Sequence, residues 1–86
     1  MVSDDVAAQA EQALKNLATV LDQAGSGLDR VVKTTLFITD MSDYPVVNAA
    51  YASAFGEHTP ARSCVGVAAL PLGALVEVEA IAKLRD

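Results

Sequence analysis

The side chains able to do chemistry gather in the last third of the chain. Arg62 and Cys64 stand two apart in Ala61 to Ala69, and Glu77 and Glu79 stand two apart in Leu75 to Lys83. Both segments alternate with period two, so each pair shares one side of a strand. If Leu70-Pro71-Leu72-Gly73 turns one strand back onto the other, an arginine, a thiol and two carboxylates meet on the sheet face away from the apolar one. Arginine presents a planar fork matched to a carboxylate. A carboxyl group beside it can move protons or orient a water. The same residues also fit a plainer account: a cross-strand Arg–Glu pair is ordinary on a solvated sheet face. A lone cysteine is more often a small buried hydrophobe than a nucleophile. Cys64 has no adjacent base, because His58 is the only histidine and reads as a surface loop residue. Tyr44, Tyr51 and Phe55 read as core.

The elements that must position these residues are legible from periodicity. Ser3 with Asp4 and Asp5 resembles a helix start, a hydroxyl cap followed by carboxylates at the positive end of the dipole. Val6, Ala10, Ala13, Leu14, Leu17, Leu21 and Ala24 then recur at helical spacing, and Gly25-Ser26-Gly27 stops them, which predicts a helix over 4–24. Val31 to Thr39 is rich in β-branched and aromatic residues and predicts a strand. In it Val32, Leu36 and Ile38 share one face, with Thr34 among them, and Lys33, Thr35, Phe37 and Thr39 share the other. Pro45 suits the first turn of a second helix, whose stripe is Tyr44, Val47, Tyr51 and Phe55, with Gly56 near its end. Two strands follow, separated by a turn at Pro71 and Gly73. In the first, Val65 and Val67 oppose Arg62, Cys64 and Gly66. In the second, Val76, Val78, Ala80 and Ala82 oppose Glu77, Glu79 and Ile81. The order helix, strand, helix, strand, strand predicts an α+β domain with helices on one face of a small sheet.

Composition narrows the function classes. Eighty-six residues make one small domain. Its core is built from many small contacts, with sixteen alanines and no tryptophan. Chains of this size are usually reinforced by disulfides, metals or partner subunits. One cysteine cannot form an intrachain disulfide, and one His with one Cys falls short of a zinc ligand set. Packing and oligomerisation remain, and the alanine-rich composition favours oligomerisation. A net charge of −5 without a run of Lys or Arg makes nucleic acid and anionic membranes poor partners. The longest apolar run, Cys64 to Leu72, is broken by Gly66 and Pro71 and too short to span a membrane. The start carries neither a basic nor a hydrophobic leader segment, so the expected location is the cytoplasm.

Pro60-Ala61-Arg62-Ser63-Cys64-Val65 resembles the signature of the Rid family (RidA/YjgF, reactive intermediate deaminases). The Val31–Asp40 strand, Val47-Asn48-Ala49-Ala50-Tyr51, Leu70-Pro71 and Val76-Glu77-Val78-Glu79-Ala80-Ile81-Ala82 agree in order, and Glu77 stands fifteen residues beyond Arg62. The resemblance covers essentially the whole chain. It implies a chorismate-mutase-like α+β layer with helices on one face of a small mixed sheet, assembled as a homotrimer with ligand sites between subunits. It implies cofactor-free and metal-free hydrolysis of enamines and imines, 2-aminoacrylate and related 2-imino acids, to 2-keto acids and ammonia. By the resemblance, Arg62 clamps the substrate carboxylate and Glu77 orients or activates the attacking water. Cys64 lines the site through its position and backbone, and Asn48 lies near the cleft.

One departure sets a second expectation. Members of the family carry several tens of residues ahead of the first helix, forming a β-hairpin with a site tyrosine, and this sequence begins at that helix. The hairpin is therefore expected to be absent, with a strand edge exposed. A fragment of a longer deaminase, a shortened member with a compensating oligomer, and a non-catalytic small-carboxylate-binding or assembly module all fit that reading.

Overall fold

The computed structural model describes residues 5–85. The elements run α1 (Val6–Gln23), β1 (Val31–Ile38), α2 (Tyr44–Phe55), β2 (Ala61–Gly66) and β3 (Val76–Ala82), with short 3-10 turns at Leu28–Arg30, Met41–Asp43 and Pro71–Gly73. Asp5 caps α1, its carboxylate accepting from the Ala7 N–H at 2.9 Å. The expected cap at Ser3 lies outside the described residues. Gly25 ends the helix with φ +84°, a backbone region that other residues enter only at a cost. Pro45 falls in the first turn of α2, where its missing N–H costs no helical bond.

Both helices cover one face of a mixed sheet, as expected. Leu36, Ile38 and Val31 of β1 are buried, as are Val76 of β3, Leu14 and Leu21 of α1, and Val47, Tyr51 and Phe55 of α2. Thr34 sits among them, and its hydroxyl is paired with that of Tyr51 at 2.8 Å. Gln9 is also buried, and its side-chain oxygen accepts from the Leu75 N–H at 2.8 Å.

The sheet order is β2-β1-β3, which corrects the expected hairpin. β2 runs parallel to β1 and β3 antiparallel to it, so β2 and β3 are the two edges and never touch through a ladder. A strand followed by a helix and another strand builds a parallel crossover pair. The link at residues 67–75 then has to carry the chain over β1 to its far edge.

Register corrects the face assignment as well. Arg62 pairs with Thr34 and Cys64 with Leu36, both buried beneath the helices, so Arg62 and Cys64 lie on the helix side. Glu77 pairs with Phe37 and Glu79 with Thr35 on the opposite, uncovered side. Val65, expected to point inward, pairs with Phe37 and is exposed. Val32 is exposed while Val31 is buried, because the β1–β3 register slips between Val31 and Lys33. That irregularity lets consecutive residues exchange faces.

The tail after β3 is tied to the turn after α1. Ser26 Oγ donates to the Lys83 carbonyl at 2.6 Å, the Lys83 N–H to the Arg30 carbonyl at 3.0 Å, and the Arg85 N–H to the Gly25 carbonyl at 2.7 Å.

Candidate functional site

Tyr44, Asn48 and Tyr51 stand at i, i+4 and i+7 along α2, and so share one face. β2, laid parallel beside β1, carries Arg62 beneath that face. The Arg62 guanidinium is held on three sides. Nη1 donates to Asn48 Oδ1, Nη2 donates to the Tyr44 hydroxyl at 2.8 Å, and the guanidinium carbon lies 4.9 Å from the centroid of the Tyr51 ring. It lies 5.7 Å from the Tyr44 ring. Aromatic faces are electron-rich and attract a cation at such distances.

Every one of these partners is neutral. Among the described residues Arg62 makes no salt bridge, whereas Arg85 is paired with Asp29. The guanidinium is thus oriented without being neutralised. It lines a cleft of about 450 Å³ together with Asn48, Tyr51, Phe55, His58 and Pro60, among others, and three of its five N–H donors remain unused. That volume accommodates a small carboxylic acid with room to spare.

His58 is fixed more firmly than a surface loop position suggests. It is half-buried, and its Nε2 bonds the Val31 carbonyl at 2.7 Å. A carbonyl only accepts, so Nε2 carries the hydrogen. The contact pins the loop Gly56–Pro60, which forms the far wall of the cleft.

Cys64 is half-buried and packs against the core. Burial pushes its thiol pKa up, and the nearby Arg62 charge opposes that only in part. A thiol held protonated at neutral pH is a poor nucleophile.

Arg62 and Asn48 are therefore brought together, with Cys64 next along the strand. Glu77 is not brought to them within one chain: β1 separates the two strands, and the two side chains lie on opposite faces. Tyr44, read from the sequence as core, does pack against the core, and its hydroxyl also meets Arg62. The signal for that contact was present in its i, i+4 relation to Asn48. A second groove, between α1 and α2, is lined by Leu14, Ala18, Leu28, Ala50 and Ala54 with Glu11 and Lys15 at its rim, and offers no comparable convergence of donors.

Similarity to known proteins agrees with the resemblance in the motif. The sequence model of the family described as endoribonuclease L-PSP matches residues 1–84. This chain belongs to that family, the Rid family. The 2-iminobutanoate/2-iminopropanoate deaminase of Salmonella typhimurium is 47% identical, over 98% of this chain and 68% of that protein. A solved Rid-family protein from Yersinia pestis superimposes with a TM-score of 0.95 at 49% identity, over 98% of this chain and 68% of that one. The yjgF product of Escherichia coli gives 0.92 at 46%, over 99% and 69%. The Rid-family chain spans about two thirds of the length of the curated relatives it matches. Its two helices on a mixed sheet are the fold of those structures. Among its described residues no helix is long and apolar enough to cross a membrane, and no cluster of His, Cys, Asp or Glu could hold a metal ion.

Proposed function

We propose that this Rid-family chain binds small 2-imino and enamine carboxylates and takes part in their hydrolysis to 2-keto acids and ammonia. The observation that carries the reading is Arg62 itself: a guanidinium oriented by neutral acceptors, unpaired, and open to a cleft. A substrate carboxylate supplies the missing counter-charge through paired N–H···O bonds. Fixing that end presents C2 of the imine to water. Water adds at C2, the nitrogen takes up a proton, and the C–N bond breaks to leave a carbonyl and ammonia. Glu77 is the proposed group that orients the water and moves its proton, and Asn48 keeps Arg62 in place. No cofactor is required by these steps.

The separation of Arg62 and Glu77 gives the proposal a further part. For both to serve one substrate, Glu77 must come from a second copy of the chain, which agrees with an assembly in which the uncovered sheet face is shared. That face carries Phe37, Val65 and Ile81, the last two exposed. We propose a homotrimer, to be checked by light scattering; a clean monomer overturns it. The same separation favours a second reading, carboxylate binding without catalysis, since the clamp is complete in one chain and the glutamate is remote. The family description mentions ribonuclease activity, but a net charge of −5 with one unpaired arginine in the cleft suits a small anion better than a polyanion.

The deciding experiment couples the chain to an enzyme that releases 2-aminoacrylate and follows pyruvate and ammonia. Formation faster than spontaneous hydrolysis, lost in Arg62→Ala and in Glu77→Gln, supports catalysis. A rate equal to the spontaneous one, with pyruvate still bound in an Arg62-dependent way, supports the binding-only reading.

A further inference from the structure

We propose that Tyr44 is the second arm of the carboxylate clamp, donating its phenolic hydrogen to the same anion that Arg62 binds. The inference rests on the reading of Arg62 as a carboxylate clamp and adds a residue to it.

Arginine has donors and no acceptor. In the 2.8 Å contact between Arg62 Nη2 and Tyr44 Oη, the phenol oxygen must therefore accept. Its own hydrogen remains uncommitted, and no described residue accepts it. The other phenol of this face is in a different state: Tyr51 Oη is committed to Thr34 Oγ1 inside the core, at 2.8 Å. Tyr51 thus offers the guanidinium a ring face, and Tyr44 places a free O–H directly beside the guanidinium.

Position supports the assignment. Tyr44 is the first residue of α2, half-buried, with its ring 5.7 Å from the guanidinium carbon. A carboxylate oxygen accepting from Arg62 comes within reach of a hydroxyl that itself touches the guanidinium. Hydrogen bonds from a hydroxyl to a carboxylate are among the shorter and stronger ones. Acceptance from Arg62 also polarises the phenol, which makes its hydrogen a better donor. A guanidinium and a phenol acting together select a group with acceptors on both oxygens. A carboxamide, which presents an NH₂ to one of these donors, is disfavoured.

The test uses the full chain, isotopically labelled, with pyruvate and the neutral pyruvamide as probes and the Arg62 side-chain resonance as the reporter. Tyr44→Phe keeps the ring and removes the hydroxyl. The expected result is a rise of roughly 10- to 100-fold in the pyruvate dissociation constant, the scale of a hydrogen bond to a charged group. The preference for pyruvate over pyruvamide should shrink, with no change in melting temperature. Losing the acceptor could also loosen Arg62, so a second variant separates donation from support. Fluorotyrosine at position 44 is a better donor and a poorer acceptor. Tighter pyruvate binding, below the pH at which the fluorophenol ionises, supports donation. Unchanged or weaker binding leaves Tyr44 only a support for Arg62 and overturns the proposal, as does an unchanged affinity in Tyr44→Phe. If pyruvate leaves the Arg62 resonance of the native chain unmoved, the clamp reading itself falls, a different outcome from Arg62 responding while Tyr44 is indifferent.

Discussion

The bond between Thr34 and Tyr51 offers the sharpest test of how the core supports the site. Thr34 is 1% exposed and Tyr51 7%, and their hydroxyls are 2.8 Å apart. Tyr51→Phe removes one oxygen and strands the other hydroxyl in the core. An unsatisfied buried hydroxyl costs about 1–3 kcal/mol, and about 2 kcal/mol is expected here because neither group has another partner. Thr34→Val, which keeps the side-chain shape, strands the Tyr51 hydroxyl and should cost about 1.5 kcal/mol. The double variant leaves two apolar groups of the same shape in contact and no orphan. It should lose about 1–1.5 kcal/mol, well under the sum of the singles, with a coupling energy of roughly 2 kcal/mol. Urea unfolding followed by circular dichroism measures this, at fixed protein concentration because self-association, where it occurs, adds to apparent stability. The single variants should melt roughly 6–15 °C lower. Phenylalanine keeps the ring face beneath Arg62, so pyruvate affinity should stay within about twofold in Tyr51→Phe. Costs that add to within about 0.5 kcal/mol would refute the claim that the two hydroxyls depend on each other.

Other perturbations test separate features. Leu72 is 90% exposed with φ +59°, so Leu72→Asn should raise stability by about 0.5–1 kcal/mol, checked by thermal melting. Cys64 should react slowly with iodoacetamide at neutral pH and speed up only above the ordinary thiol range, because burial raises its pKa; Cys64→Ser should retain pyruvate binding. The hydrogen bond and charge of Arg85 hold the Asp29 carboxyl below the usual range. Its folded pKa lies below its unfolded one, so its contribution is complete above the usual carboxylate range and is lost as pH falls through the depressed value. Melting curves at acid pH should show that loss in the native chain, weakened by salt, and not in Asp29→Asn. His58→Ala should release the loop from the Val31 carbonyl, raising exchange of the Gly56–Thr59 amides and weakening pyruvate binding severalfold.

Much of the architecture could be read from residue order, and the errors have definite causes. Period 3.6 in Val6–Gln23 and the Tyr44, Val47, Tyr51, Phe55 stripe located both helices. β-branched runs located the strands. Adjacency in sequence points to a β2–β3 hairpin, but connection length decides the pairing instead. A helix between β1 and β2 favours parallel pairing, and residues 67–75 are a long link for a hairpin. The wrong partner then placed Arg62 with Glu77 on the uncovered side. The alternation Arg62, Cys64, Gly66 against Ser63 and Val65 is symmetric enough that period two alone cannot say which set faces the helices. The motif nevertheless singled out Arg62 and Asn48, since residue types survive an error of face. Tyr44 reads as core and does pack against it, and its contact with Arg62 follows only once β2 is known to lie beneath α2.

The sheet order has a consequence for how the molecule opens. Arg62 and all its supports lie within the continuous β1–α2–β2 stretch, while β3 pairs along the opposite edge of β1 and its tail fastens to the turn after α1 through Gly25, Ser26 and Arg30. The two edges can fray independently, each against the same central strand. An anion in the cleft should therefore slow amide exchange in α2 and β2 far more than in Val76–Ala82. A uniform slowing across all three strands would mean instead that the chain opens as one cooperative unit.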